Sequence, residues 1–156
     1  MQSVSKYEEL CQAYAQAYSA SRHAMADCRD FAQRFVAGLE IYLDCPVQLN
    51  HVNFEESGSM YFYPALTLYL DPRHPQEEQS EIVVVSIALE SFGAGYRVTL
   101  YPWEQAFELP DRESLDSAQA NPIYQFIFEQ IREAYLRGAI PLNAEGGKVR
   151  NLGWDV

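Results

Sequence analysis

The chain has 156 residues, 48% hydrophobic and 21% charged, with a formal net charge of −11. That length and balance fit a single globular domain with a substantial core, not a disordered chain. No run approaches the ~20 apolar residues of a membrane helix, and so acidic a surface repels phosphates and anionic lipid. Neither direct nucleic-acid binding nor membrane association is expected.

The first residues, Met1 to Glu9, lack the basic start and apolar stretch of a secretory signal, so a cytosolic location is expected. The cysteines are Cys11, Cys28 and Cys45. Three thiols without a Cys-x-x-Cys pair argue against a disulfide framework and a zinc site, and no cofactor is implied. Cys11 and Cys28 fall on the apolar stripe of the first helix and are read as small buried hydrophobes. Cys45 precedes Pro46 at a helix end, with no neighbouring cation to activate it. The acidity is uneven. From Asp71 to Asp116 ten acidic residues face three arginines, a net of −7, whereas Ser5 to Asp44 carries a net of −2.

Ser5 stands three residues before Glu8, a pairing that satisfies the free N–H groups of a helix start. From Tyr7 through Cys11, Tyr14, Tyr18, Ser21, Met25 and Cys28 to Tyr42, a seam that is apolar except at Ser21 recurs in alternating steps of four and three. The spacing predicts a helix over Lys6 to Leu43, nearly 60 Å long at ~1.5 Å per residue. Strands of about ten residues span only ~35 Å. The helix must therefore overhang its sheet or break near Ser19 to His23. An overhang bearing aromatics calls for a partner, most simply a second copy, and a homodimer through this helix is expected.

Four strands follow. Val47 to Phe54 is short and mixed. Met60 to Leu70 carries Tyr61, Tyr63 and Tyr69 on one face, and Pro64 inside it marks an edge or a bulge. Ile82 to Leu89 is nearly all apolar and suits a central strand, while Tyr96 to Tyr101 alternates like a half-buried one. The intervening Ser91 to Gly95 fits a hairpin turn. Leu109 to Leu115 allows one helical turn. A last helix is capped by Asn121, with Pro122 at its first position, and ends at Gly138. Asn143 to Val156 reads as a loosely ordered tail, apart from Leu152 and Trp154, whose side chains need cover. The fold class is α+β: a long N-terminal helix, a four-stranded antiparallel meander and a C-terminal helix, in one domain.

No catalytic, metal-binding or nucleotide-binding signature stands out. Phe92 to Tyr96 has two glycines between strands and reads as a turn. Among the histidines, His51 alone is placed for chemistry, because Glu55 and Glu56 follow it. Such a pair could exchange protons, supply part of a metal site or line a pocket between the sheet and the helices. The strand tyrosines suit a protein interface, since Tyr and Trp bury much area with few rotors. The reading favours a non-enzymatic protein-binding module, an adaptor, inhibitor, immunity protein or chaperone. Tyr61, Tyr63 and Trp154 would be its contacts, Glu77 and Glu78 part of an acidic rim, and a basic protein its partner. The alternatives are a ligand-binding domain or enzyme with its pocket at His51 and Glu55, and an acidic mimic of nucleic acid.

Overall fold

Ser5 opens the first helix, its Oγ accepting the backbone N–H of Glu8 at 3.1 Å. Lys6–Leu43 follows as one uninterrupted helix, α1. Asp44 then takes a left-handed conformation (φ 53°), and the N–H of Cys45 returns to the carbonyl of Glu40. No break occurs at Ser19 to His23, so the helix overhangs. The computed structural model describes residues 3–55, 58–76, 80–116, 118–138 and 148–152, and side chains only before residue 139, those of Arg112 and Asp116 excepted.

The strands are β1 (Val47–Phe54), β2 (Met60–Tyr69), β3 (Ser80–Phe92), β4 (Gly95–Tyr101), β5 (Gln105–Leu109) and β6 (Lys148–Leu152). The first five form an antiparallel meander in sequence order. β6 lies parallel to β3, Lys148 opposite Glu81 and Leu152 opposite Val85. β3 is long enough for two neighbours on that edge, because β4 pairs with it only from Ser86 onward.

The expected count of four strands is thus corrected. β5 is five residues with little alternation, delivered by a tight turn in which the Tyr101–Pro102 peptide is cis and Glu104 has φ 56°. β6 falls in the stretch read as a loose tail. Its five residues gain order from the free edge of a buried strand, and pattern within them does not report that. Arg112–Asp116 and Ala118–Ala120 form two short 3-10 turns. The second helix, α2, spans Asn121–Leu136. Its cap is Ala120, and Asn121 is already helical, so the expected Asn cap is not made; Pro122 does sit in the first turn.

Pro64 marks a bulge. Leu49 stands opposite Pro64 and Val52 opposite Phe62, so Asn50 and His51 share the single residue Tyr63 across the ladder. β2 is flanked by β1 and β3, and the missing proline donor is accommodated by this irregularity inside the sheet.

Strand alternation then sorts the side chains. One face, with Phe62, Val83, Val85, Ile87 and Leu100, meets the helices and forms the main core. Phe35 joins the layers, its ring 5.5 Å from Phe62 and 5.1 Å from Tyr124 of α2. Phe31 lies 4.7 Å from Tyr96, and Phe126 packs on Trp103 and Phe107. The opposite face carries a smaller cluster of Tyr63, Ala65 and Val84, with Tyr61 and Ile82 against it.

Only the second half of α1 takes part in the core. Its buried residues begin at Cys28 and continue through Phe31, Ala32, Phe35, Val36 and Leu39. Every residue from Ser3 to Ala24 is exposed. About five turns, some 28 Å at ~1.5 Å per residue, extend beyond the domain as an arm. No helix among the described residues is long and apolar enough to cross a membrane.

Candidate functional site

Two surfaces carry side chains that the core does not consume. The first is the far face of the sheet. The bulge in β1 turns His51 onto Tyr63, with ring centroids 4.6 Å apart, and Asn53 Nδ2 donates to the Tyr63 hydroxyl at 3.3 Å. Tyr61 stands 6.5 Å from Tyr101 by ring centroid. Partial burial lifts the Tyr61 phenol above its usual pKa, and the carboxylates of Glu55 and Glu90 add to the effect. At one margin Arg97 binds Glu90 at 3.4 Å and Glu108 at 3.3 Å while its guanidinium lies 4.3 Å over Phe92.

The two strand tyrosines differ. Tyr63 is 2% exposed, held on both sides by strand neighbours, whereas Tyr61 is half-buried. His51 is exposed on this same face, the side of the sheet opposite the helices. Its ring contact is Tyr63, and among the described residues no hydrogen bond or ion pair joins it to Glu55. Glu55 is exposed just beyond β1, where its N–H bonds to the carbonyl of Ser59. Glu56, Glu77, Glu78 and Trp154 lie outside the described residues.

Ser86 escapes pattern reading altogether. It occupies the middle of β3, opposite Tyr101, and its Oγ is buried without a hydrogen-bond partner. The one signal for it is a lone hydroxyl inside the run Ile82 to Leu89, and sequence cannot say whether that hydroxyl is satisfied. Among the described residues no three or more His, Cys, Asp or Glu side chains gather as a metal site would require.

The second surface is the arm of α1. Tyr7 is 74% exposed, Leu10 69%, Tyr14 70% and Tyr18 52%. They follow the three-and-four spacing that places side chains on one helix face. Tyr14 and Tyr18 touch with centroids 6.1 Å apart, and Arg22 reaches back over Tyr18, its guanidinium carbon 5.7 Å from the ring. Cys11, expected to be buried, is exposed here because the sheet ends before it; Cys28 is buried as expected. Cys45 is half-buried, and burial together with Glu40 and Asp44 raises its thiol pKa. That disfavours a reactive thiolate.

Chemically, the far face offers phenols, an imidazole and an amide around a hydroxyl, and the arm offers an aromatic stripe. Both are suited to recognition. Comparison with protein-family models, with curated proteins and with solved structures returns no match for this chain.

Proposed function

We propose that this chain is a non-enzymatic protein-binding module that assembles into a homodimer through its first helix. The observation that carries the reading is the exposed stripe of Tyr7, Leu10, Tyr14 and Tyr18 on an arm that its own domain leaves uncovered. Single exposed apolar residues are ordinary on protein surfaces, whereas three tyrosines and a leucine along one helix face form the kind of exposed patch that marks an interaction site. Helices in proteins draw most of their stability from packing an amphipathic face, so a partner covering the stripe would stabilise the arm.

The far face of the sheet is the candidate contact for a second, basic protein. Tyr61 supplies an aromatic anchor, Tyr63 a rigid floor and Glu55 a part of the acidic rim. The described carboxylates support a binding module over a nucleic-acid mimic. Asp30, Glu90, Glu108 and Glu133 are each interleaved with an arginine, which interrupts a phosphate-like ridge.

A small-ligand reading has one specific observation in its favour, the unpartnered Ser86 hydroxyl opposite Tyr101. A ligand there would meet His51 from the far face, not from between sheet and helices.

Sedimentation velocity tests the leading reading. The wild-type chain should sediment at twice its 17.8 kDa mass at micromolar concentration. The Tyr14→Glu, Tyr18→Glu variant should sediment as a folded monomer. A monomeric wild type would remove the homodimer.

A further inference from the structure

We infer that the arm of α1 pairs with the same arm of a second copy in antiparallel orientation, in a register centred on Gln16. The inference rests on the homodimer reading and adds its geometry. The exposed stripe and the core stripe of α1 are one continuous seam. Tyr7, Tyr14, Tyr18 and Met25 lead by three- and four-residue steps into Cys28, Phe31, Phe35 and Leu39, which are buried.

That continuity decides the orientation. In a parallel pair the two seams face each other at every level. From Cys28 onward each chain's own sheet already fills the space in front of its seam, through contacts such as Phe35 on Phe62. The partner helix would have to pass through that sheet. In an antiparallel pair each helix begins, at the Ser5 cap, beside the level where the other chain's sheet starts.

Within the antiparallel pair the seam is nearly self-complementary. Tyr14 of one copy meets Tyr18 of the other, Cys11 meets Ser21, and Tyr7 meets Met25. Tyr14 and Tyr18 are already in ring contact within each chain, so four rings gather at the two-fold axis. One flank of the seam carries Leu10, Ala17 and Ala24, all apolar and two of them small, which permits close approach. The other carries Glu8, Ala15 and Arg22, and antiparallel pairing sets Glu8 of each copy beside Arg22 of the other. Parallel pairing makes neither ion pair. It stacks Cys11 on Cys11 and Ser21 on Ser21.

The area is sufficient. A specific interface takes roughly 800 Å² from each partner. Three tyrosines per arm, each worth about 150 Å² when covered, supply roughly half of it, and Leu10, Met25 and the alanines can supply the remainder.

Two measurements on the full chain test the orientation. Arg22→Glu leaves the helix cap untouched and should raise the dimer dissociation constant about tenfold, since two ion pairs become repulsions. Adding Glu8→Arg to it should restore most of the loss. In a Cys45→Ser background, the Cys11 chain should be mixed with a Cys11→Ser, Ser21→Cys chain under mild oxidation. The expected product is a disulfide between the two kinds of chain and none within either kind. Disulfides only between like chains, with an intact dimer, would overturn the antiparallel register and leave the arm-mediated dimer standing. A chain that is monomeric throughout would overturn both. A dimer indifferent to Arg22→Glu and lacking either cross-link would place the interface elsewhere and overturn the inference.

Discussion

The hydroxyl of Tyr124 donates to the backbone carbonyl of Phe35 at 3.2 Å and in doing so lies directly against the α-carbon of Gly38. A β-carbon on Gly38 would stand 2.3 Å from that oxygen and 3.1 Å from the ring carbon that bears it. The mid-helix glycine is therefore a packing device. It costs α1 about 1 kcal/mol of helix propensity relative to alanine and allows α2 to close on the core.

Gly38→Ala should reverse the usual sign of such a change. On an exposed helix it would stabilise, but here the overpacked contact should destabilise by about 1–3 kcal/mol. In a Tyr124→Phe background the clashing oxygen is gone, and the same change should cost clearly less. Urea unfolding of the four proteins in this cycle gives the coupling. Additive costs would mean that the Gly38–Tyr124 contact is not what requires the glycine.

Gly95 faces a harder obstacle. A β-carbon there would fall 1.8 Å from the carbonyl oxygen of Leu109, which is backbone and cannot rotate away. Gly95→Ala should therefore separate the start of β4 from the end of β5 and cost about 3 kcal/mol or more. Thermal unfolding checks this, and a midpoint unchanged within a degree or two would show that the chain at Leu109 yields freely.

The thiols should separate by pH. Burial and the carboxylates of Glu40 and Asp44 disfavour the Cys45 thiolate, so its alkylation should rise only at more alkaline pH than for an ordinary thiol. The protonated form is favoured in the folded chain. The associated stability is present below the unfolded-state pKa and is lost as pH rises through the elevated folded value. Iodoacetamide labelling followed by peptide mass spectrometry, from pH 7 to 10, should mark exposed Cys11 well before Cys45. Equal labelling rates across the range would contradict the burial of Cys45.

Much of the fold is legible in the sequence where period and punctuation agree. The Ser5 cap and the Tyr7-to-Tyr42 spacing give α1 its full extent, because one amphipathic period persists and no proline intervenes. The four longer strands are similarly legible from alternation and apolar runs. β5 and β6 are not, since five residues hold too few alternations and their order comes from the edges they join. The sites are less legible. That Tyr61, Tyr63 and Tyr69 share a face follows from the two-residue period, but the deep burial of Tyr63 depends on the bulge that brings His51 and Asn53 to it. The exposure of Cys11 depends on where the sheet stops, a length relation between distant segments.

Tyr61 and Tyr63 should therefore respond differently to truncation. Tyr63→Ala empties a buried site and should cost about 3 kcal/mol of stability, within the range of large-to-small core changes. Tyr61→Ala removes a half-buried ring and should leave the unfolding midpoint nearly unchanged. If the far face binds a protein, it is Tyr61→Ala that should weaken binding, by about 2 kcal/mol at a hot spot, while His51→Ala should have little effect. Denaturation curves and a binding isotherm on the same preparations separate the two roles. A stable Tyr63→Ala variant that had lost the partner would assign the contact to Tyr63 instead.

The arm should be protected only in company. Its first five turns, Lys6 to Ala24, are exposed, and helices in proteins draw most of their stability from packing an apolar face. Hydrogen exchange of the amides from Glu9 to Ala24 should therefore depend on protein concentration. At nanomolar concentration, where dilution favours the monomer, these amides should exchange within seconds as the arm frays. At tens of micromolar they should slow by at least tenfold, while amides from Phe31 to Leu39, already fixed by Phe62 and Tyr96, should not change. Salt should speed exchange in the arm if the Glu8–Arg22 pairs contribute, because exposed charges are screened over ~10 Å at 0.1 M. Exchange that is slow at every concentration would mean that the isolated arm is intrinsically stable, and the case for a covering partner would lose its thermodynamic support.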